Sequence, residues 1–291
     1  MHQILILSGK GGTGKTTVAS SFIALSKAKA SADCDVDAPN LHLVMGSFEQ
    51  EQDHGYFGLE KAVIDGKKCI LCNRCFAVCR FDAIKPGKPY QIDAMACEGC
   101  TYCSHVCPTD AISTIPFQAG TTKLFHRQDA YFSTATLRMG SGNTGKLVSE
   151  VKRRLKDAAE KTEVAILDGS PGLGCPVIAS LTGVDLALMV AEPSVSGLSD
   201  LERVVASARQ LQVPVAVGVN KADMNKKMSA QIELYCFKEG IPFLGTIPYD
   251  PTVLEAINNA QVLVSYDCPA SAAVKAIYER TLLVLKEMHI Q

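Results

Sequence analysis

Apolar residues fall into short runs separated by amphipathic stretches. Residues 3–7 (Gln-Ile-Leu-Ile-Leu) have the length and composition of a buried strand, as do 164–168, 185–191, 213–220 and 242–247. Residues 29–32 (Lys-Ala-Ser-Ala) are only weakly apolar, which predicts a short or poorly formed strand there, followed by a loop over 34–43. Helical periodicity covers 15–27, 145–161, 199–211, 229–239 and 271–288. This alternation predicts βαβ units and a mostly parallel sheet with helices on both faces, an α/β fold. The periodicity breaks between about Ala62 and Pro116, which reads as a compact insertion. The expected division is one discontinuous domain, 1–61 and 117–291, with 62–116 inserted.

Composition narrows the class. The 291 residues are 47% hydrophobic and 20% charged, enough for a core. A formal charge of −1 gives no reason to expect a broad polyanion surface, so no nucleic-acid partner is expected. No apolar run approaches the ~18 residues of a membrane span, and Ile4–Leu7 is too short for a signal-peptide core. A cytoplasmic protein without stable membrane association is expected. The final helix puts Val274, Ile277, Leu282, Leu285 and Met288 near one face. Its polar positions are of mixed sign, so it reads as packed on the core rather than lying on a membrane. The unusual count is 12 cysteines, eight of them between Cys69 and Cys107. In a reducing compartment such clustering points to metal ligation.

Gly9-Lys10-Gly11-Gly12-Thr13-Gly14-Lys15-Thr16 satisfies G-x-x-x-x-G-K-[ST] between a strand and a helix. Glycines let backbone N–H groups curl around phosphate, Lys15 reaches the terminal phosphates, and the Thr16 hydroxyl suits Mg²⁺. With Lys10 and Thr17 added, the loop resembles the deviant P-loop of the MinD/ParA/Mrp superfamily, to which the nitrogenase iron protein is distantly similar. The resemblance implies ATP bound by Gly11, Gly12, Thr13, Gly14, Lys15, Thr16 and Thr17. It also implies that Lys10 reaches the nucleotide of a second subunit, in a homodimer or a heterodimer with a paralogue.

The same resemblance extends over most of the chain. Asp33-Cys34-Asp35-Val36-Asp37 looks like the family's first switch, with Asp33 supporting Mg²⁺ and Asp35 orienting the attacking water; Asp37 is a weaker third candidate. Val164–Asp168 ends in an acid as a Walker B strand does, giving Asp168 a Mg²⁺ role. Gly169-Ser170-Pro171-Gly172 resembles the second switch, with Ser170 where proline is more usual. Asn220-Lys221-Ala222-Asp223 alone is compatible with guanine; the resemblance favours adenine on Asn220. Pro248-Tyr249-Asp250 resembles the segment that closes over the base, making Pro248 and Asp250 nucleotide contacts.

The clustered cysteines form two runs, Cys69-x2-Cys72-x2-Cys75-x3-Cys79 and Cys97-x2-Cys100-x2-Cys103-x3-Cys107-Pro108. Four C-x2-C pairs also suit two zinc ions, but equal x2 spacings followed by x3 favour iron–sulfur clusters. The runs resemble a bacterial two-cluster ferredoxin. That resemblance implies one [4Fe–4S] cluster on Cys69, Cys72, Cys75 and Cys107, and another on Cys79, Cys97, Cys100 and Cys103. Arg80 stands where the first run lacks its proline. Cys34, Cys236 and Cys268 read as ordinary thiols. Cys175, seven residues after Asp168, matches the offset of a cluster-ligating cysteine in the nitrogenase iron protein and is a candidate thiol at a dimer interface.

Together the motifs resemble MinD-superfamily ATPases with an inserted ferredoxin domain, found in anaerobes. They imply Mg²⁺-dependent ATP hydrolysis in a dimer that gates electron transfer to, or metal–sulfur cofactor assembly on, a partner protein. The alternatives are a positioning switch with structural clusters and an iron–sulfur carrier scaffold.

Overall fold

The computed structural model describes residues 1–290. In chain order the first elements are β1 (His2–Leu7), α1 (Lys15–Ser26), β2 (Ala30–Asp33), β3 (Gln50–Phe57) and β4 (Lys61–Ile64). Next come α2 (Arg74–Val78), β5 (Ile84–Lys85), β6 (Gln91–Ile92), α3 (Tyr102–His105), β7 (Ile112–Ile115), β8 (Gln118–Arg127) and β9 (Ala130–Leu137). The chain continues through α4 (Thr144–Ala158), β10 (Val164–Asp168), α5 (Cys175–Leu181), β11 (Leu186–Ala191), α6 (Val195–Gln210) and β12 (Val215–Asn220). It ends with α7 (Lys226–Glu239), β13 (Phe243–Ile247), α8 (Thr252–Asn258) and α9 (Pro269–Ile290).

A nine-stranded sheet has the order β13-β12-β11-β1-β10-β2-β9-β8-β3. Its pairs from β13 through β9 are parallel. This is the α/β sheet that the alternating pattern predicts. β1, β10 and β11 are apolar throughout their central positions because each is covered on both faces. β2 forms in full despite its weak apolarity. Its residues Ala30, Ser31, Ala32 and Asp33 are all buried, and small side chains suffice between β10 and β9. β3, β8, β9, α5 and α8 carried no clear periodic signal.

Caps explain where two helices begin. α6 starts at Val195, four residues before the predicted start, because Ser194 Oγ accepts from Gly197 N at 3.0 Å. Asn225 does the same for α7, accepting from Met228 N at 3.1 Å, and Gly240 (φ 66°) ends that helix.

The chain divides into two compact units. The larger comprises Met1–Asp53, Lys123–Ala135 and the chain from Thr144 onward. Its core gathers Ile4, Ile6, Val18, Phe22, Phe132, Ile166 and Leu188. The α9 residues Val274, Ile277 and Leu285 join that core, so the helix's apolar face is covered by its own domain.

The smaller unit comprises His54–Thr122 and Thr136–Asn143, wider than the 62–116 read from the sequence. The difference arises because β3, β8 and β9 each cross the division. Inside it, β4 pairs antiparallel with β7, and β5 with β6. The unit is built twice. Each cysteine of the first run recurs 28 positions later (69 to 97, 72 to 100, 75 to 103, 79 to 107). The left-handed backbone positions Leu71, Asn73 and Asp82 recur at the same offset as Gly99, Thr101 and Asp110. Cys69 N donates to Asp65 O at 3.1 Å and Cys97 N to Asp93 O at 2.9 Å. Its buried apolar core is small: Ala62, Ala83, Ile84 and Ile112 with Cys75 and Cys97.

Phe22 is fully buried and meets Tyr278 edge-on at 5.1 Å, joining α1 to α9. Phe22→Ala should lower unfolding free energy by about 3–5 kcal/mol in denaturant titration. A loss below about 1 kcal/mol would contradict this packing.

Candidate functional site

The first site lies at the carboxyl ends of β1, β10 and β2. The turn after β1 needs glycine at two points. A Cβ on Gly9 would stand 2.3 Å from Asp200 Cβ, and Gly14 has φ 93° with Asn220 Nδ2 at 2.3 Å from its Cβ position. The turn leads directly into α1, so its N–H groups and the helix N-terminus face one space. Thr13 Oγ1 is buried there without a hydrogen-bond partner among the described residues, as suits a phosphate cradle.

Asp33 and Asp168 are register partners at the ends of β2 and β10. Both are fully buried. Lys15 Nζ lies 2.6 Å from Asp168 Oδ1, and Thr16 Oγ1 donates to Asp168 Oδ2 at 2.6 Å. Asp33 accepts from the N–H groups of Asp35, Asn40 and Leu41 at 3.0, 2.9 and 2.9 Å, which fixes the loop after β2. Burial, then the neighbouring Asp168, push the Asp33 carboxyl up to about 7 against these N–H groups and Lys15. Burial also raises Asp35, which Lys15 opposes. Asp35 is half-buried beside these charges; Asp37 is exposed.

Ser170 explains its own departure from the usual proline. Its hydroxyl donates to the Cys34 carbonyl, tying the segment after β10 to the loop after β2. Burial pushes the Cys34 thiol up to about 12, which keeps it protonated.

Lys10 is held within its own chain by Glu192, Nζ to Oε2 at 2.5 Å. Glu192 lies 182 positions away and belongs to no motif that would mark it as a partner of Lys10. Asn220 Nδ2 donates to Thr13 O at 2.7 Å, and Lys221 Nζ to Gly12 O at 3.2 Å, so this segment braces the glycine-rich turn. Asp223 Oδ1 accepts from Tyr249 N at 2.6 Å. Asp250 accepts from Thr252 N and Ala270 N at 3.0 and 3.2 Å, so its carboxylate caps α8 and α9. Pro248 lines a neighbouring cavity with Asp223. Cys175 is exposed as the first residue of α5.

The second site is in the smaller unit. One small cavity is lined by Cys69, Cys72, Cys75 and Cys107 with Ile64, Tyr90 and Ile112. The other is lined by Cys79, Cys97, Cys100 and Cys103 with Ala62, Ile84 and Ile92. Among the described residues, no three His, Cys, Asp or Glu side chains converge closely enough for a single metal ion. The thiols instead surround a space. Burial opposes ionisation of Cys107, yet N–H groups of Thr109 and Ala111 bring its thiol below the usual range. Lys61 escaped the sequence reading. It is buried, its ammonium donates to the Cys97 carbonyl, and it stands 5.4 Å from the Phe117 ring centroid.

The glycine-rich turn, the paired acids and the parallel sheet define a P-loop nucleotide-binding fold. The family model "CobQ/CobB/MinD/ParA nucleotide binding domain" matches residues 4–264, and the chain belongs to that family. It is 33% identical to an uncharacterised protein of Methanocaldococcus jannaschii, covering 96% of this chain and 95% of that one. It is 23% identical to an iron–sulfur cluster carrier protein of the same organism, covering 96% and 83%. Among solved structures it resembles the septum site-determining protein MinD with Mg-ADP from Pyrococcus horikoshii, with TM-score 0.59, 19% identity and coverage of 96% and 95%. Among the described residues no helix is long and apolar enough to cross a membrane.

Asp33 yields a pH prediction. Its carboxyl titrates at about 7 when folded against an ordinary 3.8, so the folded protein holds the extra proton between those values. Stability of the nucleotide-free protein should therefore fall as pH rises through that window, by roughly a few kcal/mol. Asp33→Asn should flatten the fall in a pH series of thermal melts. An unchanged slope would contradict the assignment.

Proposed function

We propose that the protein hydrolyses ATP in a nucleotide-driven dimer and couples that cycle to electron transfer, or to metal–sulfur cofactor assembly, on a partner protein. The observation that carries the redox half is the division of eight cysteines between two cavities, three from one run with the last of the other in each. This supports two [4Fe–4S] clusters with crossed ligation. The equal x2 spacings followed by x3 in both runs suit a cluster better than a zinc ion. Bound clusters would supply one-electron chemistry and replace apolar mass that the unit lacks. The insertion is proposed as a redox module within the ATP-binding domain.

For the nucleotide half, ATP phosphates would take Lys15 from Asp168. Thr16, Asp168 and Asp33 would then hold Mg²⁺ and its water shell. Asp35 would orient the attacking water, and Lys10, leaving Glu192, would reach the partner's phosphates. Asn220 acts first as a brace of the turn. Adenine contact at Pro248 would be through backbone, and Asp250 is assigned to helix capping rather than to nucleotide. The dimer is with a second copy or a paralogue.

A second reading, an iron–sulfur carrier that hands its clusters on, draws on the carrier named among the relatives and on the exposed Cys72 and Cys100. Transfer of iron to an apo-acceptor without ATP-dependent electron flow would favour it.

Lys15→Ala should abolish nucleotide binding, whereas Lys10→Ala should keep binding and lose hydrolysis and the closed dimer. Equal affinity and turnover in both variants would contradict the assignment. Anaerobically purified protein should hold about eight irons per chain. Cys107→Ser and Cys79→Ser should each perturb a different cluster by electron paramagnetic resonance. Zinc in place of iron would contradict the reading.

A further inference from the structure

The two halves of the smaller unit share one backbone plan but not one charge pattern. Residues 65–90 carry six Lys or Arg and two Asp; their counterparts 93–118 carry no Lys or Arg and three Asp or Glu. Lys67, Lys68, Arg74, Arg80, Lys85 and Lys88 correspond to Met95, Ala96, Tyr102, Pro108, Ser113 and Pro116. All six basic residues are exposed. The second half folds in the same way without them, so the fold does not require these charges.

Four of them share one neighbourhood. A Cβ on Gly66 would meet Pro89 Cγ at 3.0 Å, which sets Lys67 and Lys68 beside Lys88. Tyr90 OH donates to Asn73 Oδ1 at 2.7 Å and its ring lies 6.0 Å from Phe76, which brings in Arg74. Ile70 and Leu71, 62% and 43% exposed, lie in the chain between Lys67, Lys68 and Arg74, next to exposed Cys72 of the first cavity, with Asp65 the nearby acid, accepting from Lys67 N at 2.9 Å.

We propose that this face docks an acidic electron-carrier protein; the proposal rests on the cluster reading above. An apolar centre inside a charged rim has the anatomy of a protein interface. The rim would steer an acidic partner, and Cys72 would put the edge of the first cluster at the contact. A nucleic acid is less well matched, because Ile70 and Leu71 offer no ring for a base to stack on and the nearby Tyr90 and Phe76 rings pack against each other.

The test uses the full chain, purified anaerobically, titrated calorimetrically with an acidic flavodoxin and with basic cytochrome c. Flavodoxin should bind, weakening as salt rises, and cytochrome c, titrated separately, should not bind. Lys67→Glu/Lys68→Glu/Arg74→Glu should weaken binding about tenfold or more, and the Gln versions by less. Lys226→Glu/Lys227→Glu on α7 should leave it unchanged. Iron content is measured on every sample. Binding that depends on the three residues without iron would uphold the docking face and remove the cluster reading. Full iron with binding indifferent to salt and to both sets of substitutions would overturn the docking face alone. Tighter binding of a single-stranded oligonucleotide through the same residues would also overturn it.

Discussion

Two carboxylates buried side by side impose the main constraint on this molecule. Asp33 and Asp168 end neighbouring parallel strands, and neither reaches solvent. Two such charges cannot both persist in a low-dielectric setting without cations and donors. The chain answers with Lys15 and the Thr16 hydroxyl on Asp168, and with three N–H groups on Asp33. These contacts fix the start of α1, the loop after β2 and the end of β10. One ammonium, that of Lys15, therefore balances the pair. A bound Mg²⁺ would take over the balancing role that Lys15 performs in its absence, and Lys15 would become available for phosphate.

The smaller unit has the complementary shortage. Its buried side chains are few and small, and its cysteines face two cavities. Small domains without an adequate apolar core commonly rely on metals. Lys61 fits the same account. Its buried ammonium is in no ion pair among the described residues, and an anionic thiolate-bound cluster near Cys97 would offset its charge. The 28-residue repeat then serves as an internal control, since it separates what the fold needs from what differs between the halves.

The parallel sheet was readable because β1, β10, β11 and β12 are continuous apolar runs. Asp168 stands out in the sequence as the acid that closes such a run. β2 was underestimated, since Ala and Ser give little pattern and are buried by their neighbours. β3 and β8 carry many polar residues, so neither alternation nor apolarity exposed them. The reading of Asp250 as a nucleotide contact followed family position; its hydrogen bonds to two helix starts are tertiary and leave no local trace. Glu192 and Lys61 were missed for the same reason, because a charge partner or a buried ammonium is set by folding across distant segments. A net charge of −1 also concealed the opposite charges of the two halves of the module.

In the proposed function, nucleotide state at the paired acids controls electron delivery through the cysteine module. The most direct measurement is the rate at which the dithionite-reduced protein passes electrons to an acceptor in stopped flow, with Mg-ATP, with Mg-ADP and without nucleotide. A faster rate with Mg-ATP, lost when Lys15 is replaced, is expected. Equal rates in all three conditions, with iron fully present, would contradict it.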